Sequence, residues 1–432
     1  MNETIKRPRG TKDILPQEQN YWRYIENIVE KKFLSFDFGK ITTPSFEHIS
    51  LFNRGVGETS DIVQKEMFLV KKSDITESDN EENYVLRPEG TAGIVRAYLE
   101  KGMQVWPQPV KLYYFEPMFR YCRPQKGRYR EFWQFGFEII GSQSTQTDIL
   151  SIMLIWQIFN DLGLSEKDII IDINTIGCKN CRNKINKSLA QYFQKYQKNL
   201  CPTCQSRFLK NPLRILDCKE TKCQKIISSA PQIIDSVCKN CKLDFKQVLE
   251  GLDELNIPYD LNPKLVRGLD YYTKTTFEVR DLKDKTRQSS LGGGGRYDDL
   301  VEQFGGNNTP AIGFAAGIER IVNILIEKQT KISTCQKSEI YVIQIGDKAE
   351  KKALKLIYDL SNKGFNVNCT MGKTSLKSQL KSANKSGAKL ALILGQREIF
   401  DKSIIVRDMQ DSSQESIPFS KVEELIYRKL RS

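Results

Sequence analysis

Apolar side chains stand at residues 21, 22, 25, 28, 29 and 33. This is the three-and-four spacing of an amphipathic helix over 17–35. A short β-branched run ending at Pro44 then takes the chain into an extended segment. "MFLVKK" and "YVLRPEGT" read as two strands joined by the acidic, polar stretch 73–83, a solvated loop. A second strand pair is expected over 111–122 and 131–141, around the basic loop "RPQKGRY". Here the alternation becomes geometry. Trp133, Phe135, Phe137 and Ile139 share one face, and Phe132, Gln134, Gly136 and Glu138 share the other. On the preceding strand Met118, Arg120 and Cys122 lie opposite Phe119 and Tyr121. The odd face reads as core. The even face carries an amide and a carboxylate inside an apolar strand, and buried charges need partners. Arg120, Gln134 and Glu138 therefore read either as the floor of a ligand site or as a plain ion pair between Arg120 and Glu138.

Between 178 and 241 the chain becomes cysteine-rich, and from 262 it returns to strands: "TTFEVR", a polar turn at 282–290, then "LGGGGRYDDL". "AIGFAAGIERI" (311–321) reads as a small-residue helix packed tightly under a site and ending in Arg320. After a linker near 326–338, strands at 340–345 and 390–394 alternate with helices at about 348–362 and 374–386, the pattern of a small α/β domain.

At 432 residues the chain has room for two or three domains. Its longest apolar runs, such as "LALIL" at 390–394, are too short to span a bilayer, and "MNETIKRPRG" has no apolar targeting segment. The expectation is a cytoplasmic protein with no membrane partner. A net charge of +13 points to a polyanionic partner. Residues 335–432 hold 18 Lys/Arg against 11 Asp/Glu, so that quarter of the chain carries +7 of the excess. His48 is the one histidine, which excludes zinc sites built on several histidines and argues against a Ser-His-Asp enzyme. It reads as a packing or capping residue.

Further motifs give the even face its company. "LRPEGTAG" places Glu89 and Thr91 just past a strand end, and "LVRGLDYYTKTTFEV" places Arg267 and the Tyr271–Tyr272 pair at the entry to a strand. The four glycines at 292–295 match neither G-x-G-x-x-G nor a P-loop, and read as a place where backbone approaches a pocket closely. "MGKTS" at 371–375 is no Walker A motif, because the required glycine would fall at Val367.

Together these residues resemble the histidyl-tRNA synthetases, class II aminoacyl-tRNA synthetases, along nearly the whole chain. "RPRGTKDILP" looks like the N-terminal signature, and the helix and strand ending at Pro44 like motif 1, the dimer element. Residues 119–138 look like motif 2 and 311–321 like motif 3, while "LVRGLDYY" and "LGGGGRYD" are similar to the two signatures peculiar to the histidine enzymes. The resemblance implies an α+β fold: a class II antiparallel sheet flanked by helices, a cysteine-rich insertion, and a C-terminal α/β anticodon-binding domain. The corresponding limits are 1–171 and 261–330 for the catalytic core, 172–260 for the insertion and 338–432 for the anticodon module. It also implies a homodimer that uses histidine, ATP with Mg2+, and histidine tRNA. Arg120 and Arg267 would flank the α-phosphate, Arg128 and Arg320 would hold the outer phosphates, and Phe132 would stack on adenine. Glu138 and Tyr272 would read the imidazole, Glu89, Thr91 and Gln134 would surround the α-amino group, and Tyr271 would line the pocket. Arg123, Gln125 and Lys126 would meet the acceptor end of tRNA. Two residues depart from the family pattern: Cys122 stands where glutamate is usual and Trp133 where histidine is usual.

Eight of the eleven cysteines form Cys178-x2-Cys181, Cys201-x2-Cys204, Cys218-x4-Cys223 and Cys238-x2-Cys241. Gaps of 19 and 14 residues suggest two successive double pairs near zinc-ribbon spacing, that is, two structural zinc sites of four cysteines each, with reduced packing cysteines as the alternative. Two rival functions remain. A catalytically silent synthetase-like regulatory subunit of histidine biosynthesis would have eroded signatures and no anticodon module. A zinc-ribbon nucleic-acid-binding protein would leave Arg120, Gln134, Glu138 and Arg267 unexplained.

Overall fold

The computed structural model describes residues 4–57, 60–71, 83–125, 127–284, 289–332, 338–372 and 375–431. Most of the acidic stretch 73–83, the centre of the polar turn at 282–290, part of the linker and part of "MGKTS" lie outside them. The chain divides into two compact units, 1–331 and 332–432.

The first unit is built on an eight-stranded sheet. Its order is Gly39–Lys40, Val110–Phe119, Glu131–Ile140, Ala311–Gly317, Ser290–Arg296, Thr273–Asp281, Ile169–Thr175 and Tyr259–Leu261. The five central pairings are antiparallel, and the two edge strands pair parallel to their neighbours. The odd face of Glu131–Ile140 is covered as the alternation predicts. Phe135, Phe137 and Ile139 meet Trp22, Ile25, Val29 and Phe33 from the helix Pro16–Ser35, together with Ile152, Ile155 and Phe159 from Thr145–Asp161. The first helix buries the stripe that its spacing marks out and starts on a proline, whose missing N–H costs nothing there. The opposite face of the sheet holds a second apolar cluster, containing Tyr114, Met118, Tyr271, Tyr272, Tyr297 and most of the paired cysteines.

Two long-range ion pairs, neither visible in local pattern, lock this arrangement. Arg296 and Asp148 are 2% and 1% exposed and meet through Nε at 2.8 and 3.0 Å. Nη1 donates to the Ser142 carbonyl and meets Asp298 at 3.4 Å, and Nη2 donates to the Ser144 carbonyl and meets Asp148 at 2.6 Å. Arg87 Nη1 meets Glu116 at 2.6 Å and the Thr43 carbonyl at 2.7 Å, which fixes the extended segment before Pro44 against the hairpin.

Two expectations are corrected. Ala311–Gly317 is a central strand, and a helix begins only at Ile318. Its glycines and alanines carry no helical stripe, and backbone pairing on both sides decides the conformation. The strands Ile169–Thr175 and Tyr259–Leu261 belong to the main sheet, so the insertion between them is narrower than 172–260 at both ends. His48 stands at the N-cap position of the short helix Ile49–Val56 without a side-chain cap, and its ring packs 4.8 Å from that of Tyr84.

The second unit has a five-stranded sheet in the order Val367–Cys369, Ile340–Gln344, Leu390–Leu394, Ser403–Asp408, Gln414–Pro418. The helices Asp347–Asn362 and Val422–Arg431 pack on the face that presents Ile340, Val342, Leu392 and Leu394. Among the described residues no helix is long and apolar enough to cross a membrane.

Removing the carboxylate of Asp148 strands a buried guanidinium. Asp148→Ala should therefore cost about 3–5 kcal/mol of stability, read as a lower urea midpoint at unchanged m.

Candidate active site and cysteine tetrads

Hairpin register builds the floor of the site. Met118 lies opposite Phe132, Glu116 opposite Gln134, Tyr114 opposite Gly136 and Leu112 opposite Glu138, so even positions on both strands share one face. Glu138 has no exposed surface. Its two oxygens accept from Thr91 Oγ1 at 2.7 Å and from the Tyr297 hydroxyl. The position paired with it on the next strand is Gly313, where any Cβ would overlap the carboxylate. Burial pushes the Glu138 carboxyl up to about 8. The plain ion pair with Arg120 does not form. Arg120 Nε instead donates to the Pro88 carbonyl at 2.8 Å, and its guanidinium lies 5.2 Å from the centre of the Phe132 ring.

Glu89 sits where strand Tyr84–Leu86 gives way to helix Thr91–Glu100. Its carboxylate accepts the amides of Thr91 and Ala92 at 2.9 and 2.8 Å, an acid on a helix N-terminus, and the Tyr271 hydroxyl adds a contact at 3.3 Å. Burial nevertheless raises its pKa, the amides opposing. Tyr271 and Tyr272 are both buried, their rings 4.7 Å apart.

Sequence reading missed two residues. Tyr297 stands inside the "LGGGGRYD" motif, yet only the bend after strand Ser290–Arg296 brings its hydroxyl to Glu138. Tyr114 shares the parity of Arg120, so alternation alone could have found it. Among the described residues its buried hydroxyl finds no hydrogen-bond partner, and the residue lines the cavity.

A cavity of about 1200 Å³ opens over this floor; its lining includes Glu89, Thr91, Gln134, Tyr271 and Tyr272 together with Arg120, Arg128, Phe132, Arg267 and Arg320. Glu138 and Tyr297 lie behind the lining residues. Arg267 is ion-paired to Glu278, which raises its pKa despite burial, and it lies flat on the glycine strand. A Cβ on Gly293 would overlap its guanidinium, which explains the glycine run at that position. Arg128 pairs with Glu66, while Arg320 donates to the carbonyls of Gly127 and Ser290 and so ties the basic loop to the glycine strand. The loop turns tightly, Arg128 N donating to Gln125 O at 2.9 Å, with Arg123 and Gln125 exposed; Lys126 lies outside the described residues. Cys122 lines the cavity and donates to the Tyr129 carbonyl. Trp133 packs edge-on against Trp22 with ring centres 6.0 Å apart, on the core side.

The cysteines form two tetrads, nested rather than successive. Cys178 and Cys181 join Cys238 and Cys241, and Cys201 and Cys204 join Cys218 and Cys223. Sequence spacing favoured neighbouring pairs. The fold instead starts two helices, Lys179–Gln194 and Lys239–Glu254, side by side on Cys178 and Cys238, and encloses the second tetrad within the intervening chain. Within each tetrad the sulfurs all lie within 4.8 Å of one another, with separations of 3.6 and 3.9 Å in the outer and 3.8 Å in the inner. Zinc–sulfur bonds of about 2.3 Å require tetrahedral edges of about 3.8 Å. Backbone amides of Cys201, Cys204 and Cys238 point at cysteine sulfurs, as donors to metal-bound thiolates do.

The Glu138 carboxyl makes the free protein sensitive to pH. With its folded pKa near 8 and an unfolded value of about 4.3, the native state binds the extra proton between them. Its contribution to stability is thus complete at low pH and is lost as pH rises through that window. The stability of Glu138→Gln relative to the parent should rise steadily from about pH 4.5 to about pH 8. Equilibrium urea unfolding across that range checks this, and a flat difference would contradict it.

Comparison with known proteins places the fold in a family. Residues 70–329 match the model of the tRNA synthetase class II core domain (G, H, P, S and T), and 339–429 match the anticodon binding domain. A histidine–tRNA ligase from Acetivibrio thermocellus is 44% identical over 411 residues, 95% of this chain and 96% of that protein. The crystal structure of apo Staphylococcus aureus histidyl-tRNA synthetase matches with TM-score 0.80 and 34% identity, over 98% of this chain and 100% of that one. An ATP phosphoribosyltransferase regulatory subunit/histidyl-tRNA synthetase from Bacillus halodurans shares the fold at TM-score 0.61 and 21% identity, over 91% of this chain and 99% of that one. With a class II core, an anticodon module and near-full-length likeness to the ligases, the chain belongs to the histidine–tRNA ligase family of class II aminoacyl-tRNA synthetases.

Proposed function

We propose that the chain is an ATP-dependent histidine–tRNA ligase in which the even face of the sheet binds histidine and the arginines around it handle the phosphates. In the first step a carboxylate oxygen of histidine attacks the α-phosphate of ATP, and pyrophosphate leaves with the electrons of the broken P–O bond. In the second, a terminal ribose hydroxyl of the tRNA attacks the carbonyl carbon, and AMP leaves. Negative charge builds on phosphate oxygens throughout, so fixed cations are the catalysts the reaction needs. Arg267, backed by Glu278 and lying on Gly293, is held rigidly enough to act on the α-phosphate opposite Arg120. Arg128 and Arg320 take the outer phosphates, and Phe132 offers its ring to adenine. Mg2+ arrives with the triphosphate and keeps mainly phosphate and water oxygens as ligands, which suits a cavity where Glu66 and Glu278 are already paired to arginines.

The observation that carries the histidine assignment is Glu138: a fully buried carboxyl with two hydroxyl donors and acceptor capacity left over. An imidazole N–H is the third donor that completes it, with Tyr272 on the ring's other side. Because Glu138 has no exposed surface, the ring reaches it only as the lining side chains give way. Thr91 spends its proton on Glu138, so toward the α-amino group it acts as an acceptor beside Glu89 and Gln134. Arg123 and Gln125, on the basic loop, would meet the acceptor end of the tRNA, as would Lys126 by its place in the sequence, and the basic second unit binds its anticodon. A cytoplasmic homodimer joined through the segment before Pro44, and structural zinc in the two cysteine tetrads, complete this reading.

Arg267→Ala should lower histidine-dependent ATP–pyrophosphate exchange at least ~100-fold, with histidine binding by calorimetry little changed. Near-normal turnover would remove Arg267 from the chemistry. Charging of histidine tRNA by the unmodified chain, with one AMP formed per histidine attached, tests the overall reaction.

A further inference from the structure

The loop 265–272 carries both Arg267 and Tyr272 but has no regular secondary structure of its own. The sheet holds it at Leu265, through Asn174 Nδ2, and the end of helix Ile49–Val56 holds it at Asp270, through the carbonyl of Val56. At the two positions that matter for chemistry its backbone is gripped instead by the cysteine module. Arg214 Nη1 donates to the Arg267 carbonyl at 2.9 Å, and Arg182 donates to the Tyr272 carbonyl. Asn211 Nδ2 adds a bond to Asp270 Oδ1 at 3.1 Å.

Each of these donors is carried by a segment that a tetrad borders. Arg182 follows Cys181 on the first turn of a helix that begins at Cys178. Asn211 and Arg214 lie in the stretch closed at one end by Cys204 and at the other by Cys218, and Arg214 is itself only 4% exposed. The inner tetrad is buried at all four cysteines, and Cys201, Cys218, Arg214 and Arg267 line one and the same cavity. Four thiols gathered within 4.8 Å of one another are the donor set for an ion, whose binding energy becomes folding energy for the chain it closes.

We propose that each tetrad binds one zinc ion, and that these two ions, through Arg182 and Arg214, hold the loop 265–272 in its working position. The inference rests on the ligase reading, which supplies the roles of Arg267 and Tyr272. Zinc takes no part in the chemistry here; it keeps Arg214 and Arg182 where they can fix the carbonyls of the two residues that do. Arg214 is accordingly a positioning residue.

The test begins with metal content of the full chain purified without added chelator, by native mass spectrometry. Two zinc ions per chain are expected, and one in the Cys218→Ser/Cys223→Ser double variant. That variant should lose about 10- to 100-fold in kcat for histidine-dependent pyrophosphate exchange and should show faster amide hydrogen exchange at 265–272. Arg214→Gln separates coupling from folding: it should retain two zinc ions while reproducing both the slower turnover and the faster amide exchange. If the cysteine variant does not fold, chelator treatment of the unmodified chain, followed by zinc alone, supplies the same comparison. Absence of zinc from the native chain overturns the sites. Two zinc ions whose removal changes neither turnover nor amide protection overturn the coupling. Zinc-loaded chain with no histidine-dependent exchange would contradict the ligase reading instead, while amide protection at 265–272 would still report on the anchoring.

Discussion

A carboxyl with no solvent contact is expensive to keep, and the first unit is arranged around keeping one. Glu138 survives in the interior because Thr91 and Tyr297 donate to it and because Gly313 leaves the space that it fills. Each of those three residues reaches it from a different element: a helix start, a bend after the glycine strand, and the central strand between them. The site therefore requires the whole sheet to be in register, since a slip of one residue would send Glu138 to the face packed against the first helix.

The same economy of space governs the phosphate side. Arg267 and Arg320 both lean on the glycine strand, one over Gly293 and the other on the carbonyl of Ser290. Side chains on that strand would push the guanidinium groups out of line. In the proposed function, binding of histidine and activation of ATP would be two uses of one surface, the first on its buried carboxylates and the second on its cations. The cysteine module closes the surface from outside, gripping backbone where the sheet does not reach.

Much of this was legible in the sequence because strand alternation is a local signal. It separated Trp133, Phe135 and Phe137 from Gln134 and Glu138, and it placed Arg120 with the latter. It also carried the first helix, whose apolar stripe is what it buries. What stayed hidden depends on contacts across long separations. Arg296 with Asp148 and Arg87 with Glu116 leave no periodic trace. Tyr297 could be assigned only once the bend beyond the glycine strand was known. The segment 311–317 was misread as helix because alanine and glycine mark neither period, and the cysteine pairs were joined in sequence order because spacing cannot express nesting. Cys122 is visible as a departure, and its side chain does line the cavity; the structure places it beside the Tyr129 carbonyl, a neighbour no local pattern would name.

The central claim is that the even face, through Glu138, selects histidine for adenylation. ATP–pyrophosphate exchange with each amino acid in turn, without tRNA and with Mg2+ present, tests it most directly. Exchange with histidine alone, abolished in Glu138→Ala, is the expected result. No exchange with any amino acid, from folded protein, would contradict the claim and bring forward a catalytically silent regulatory role on the same fold.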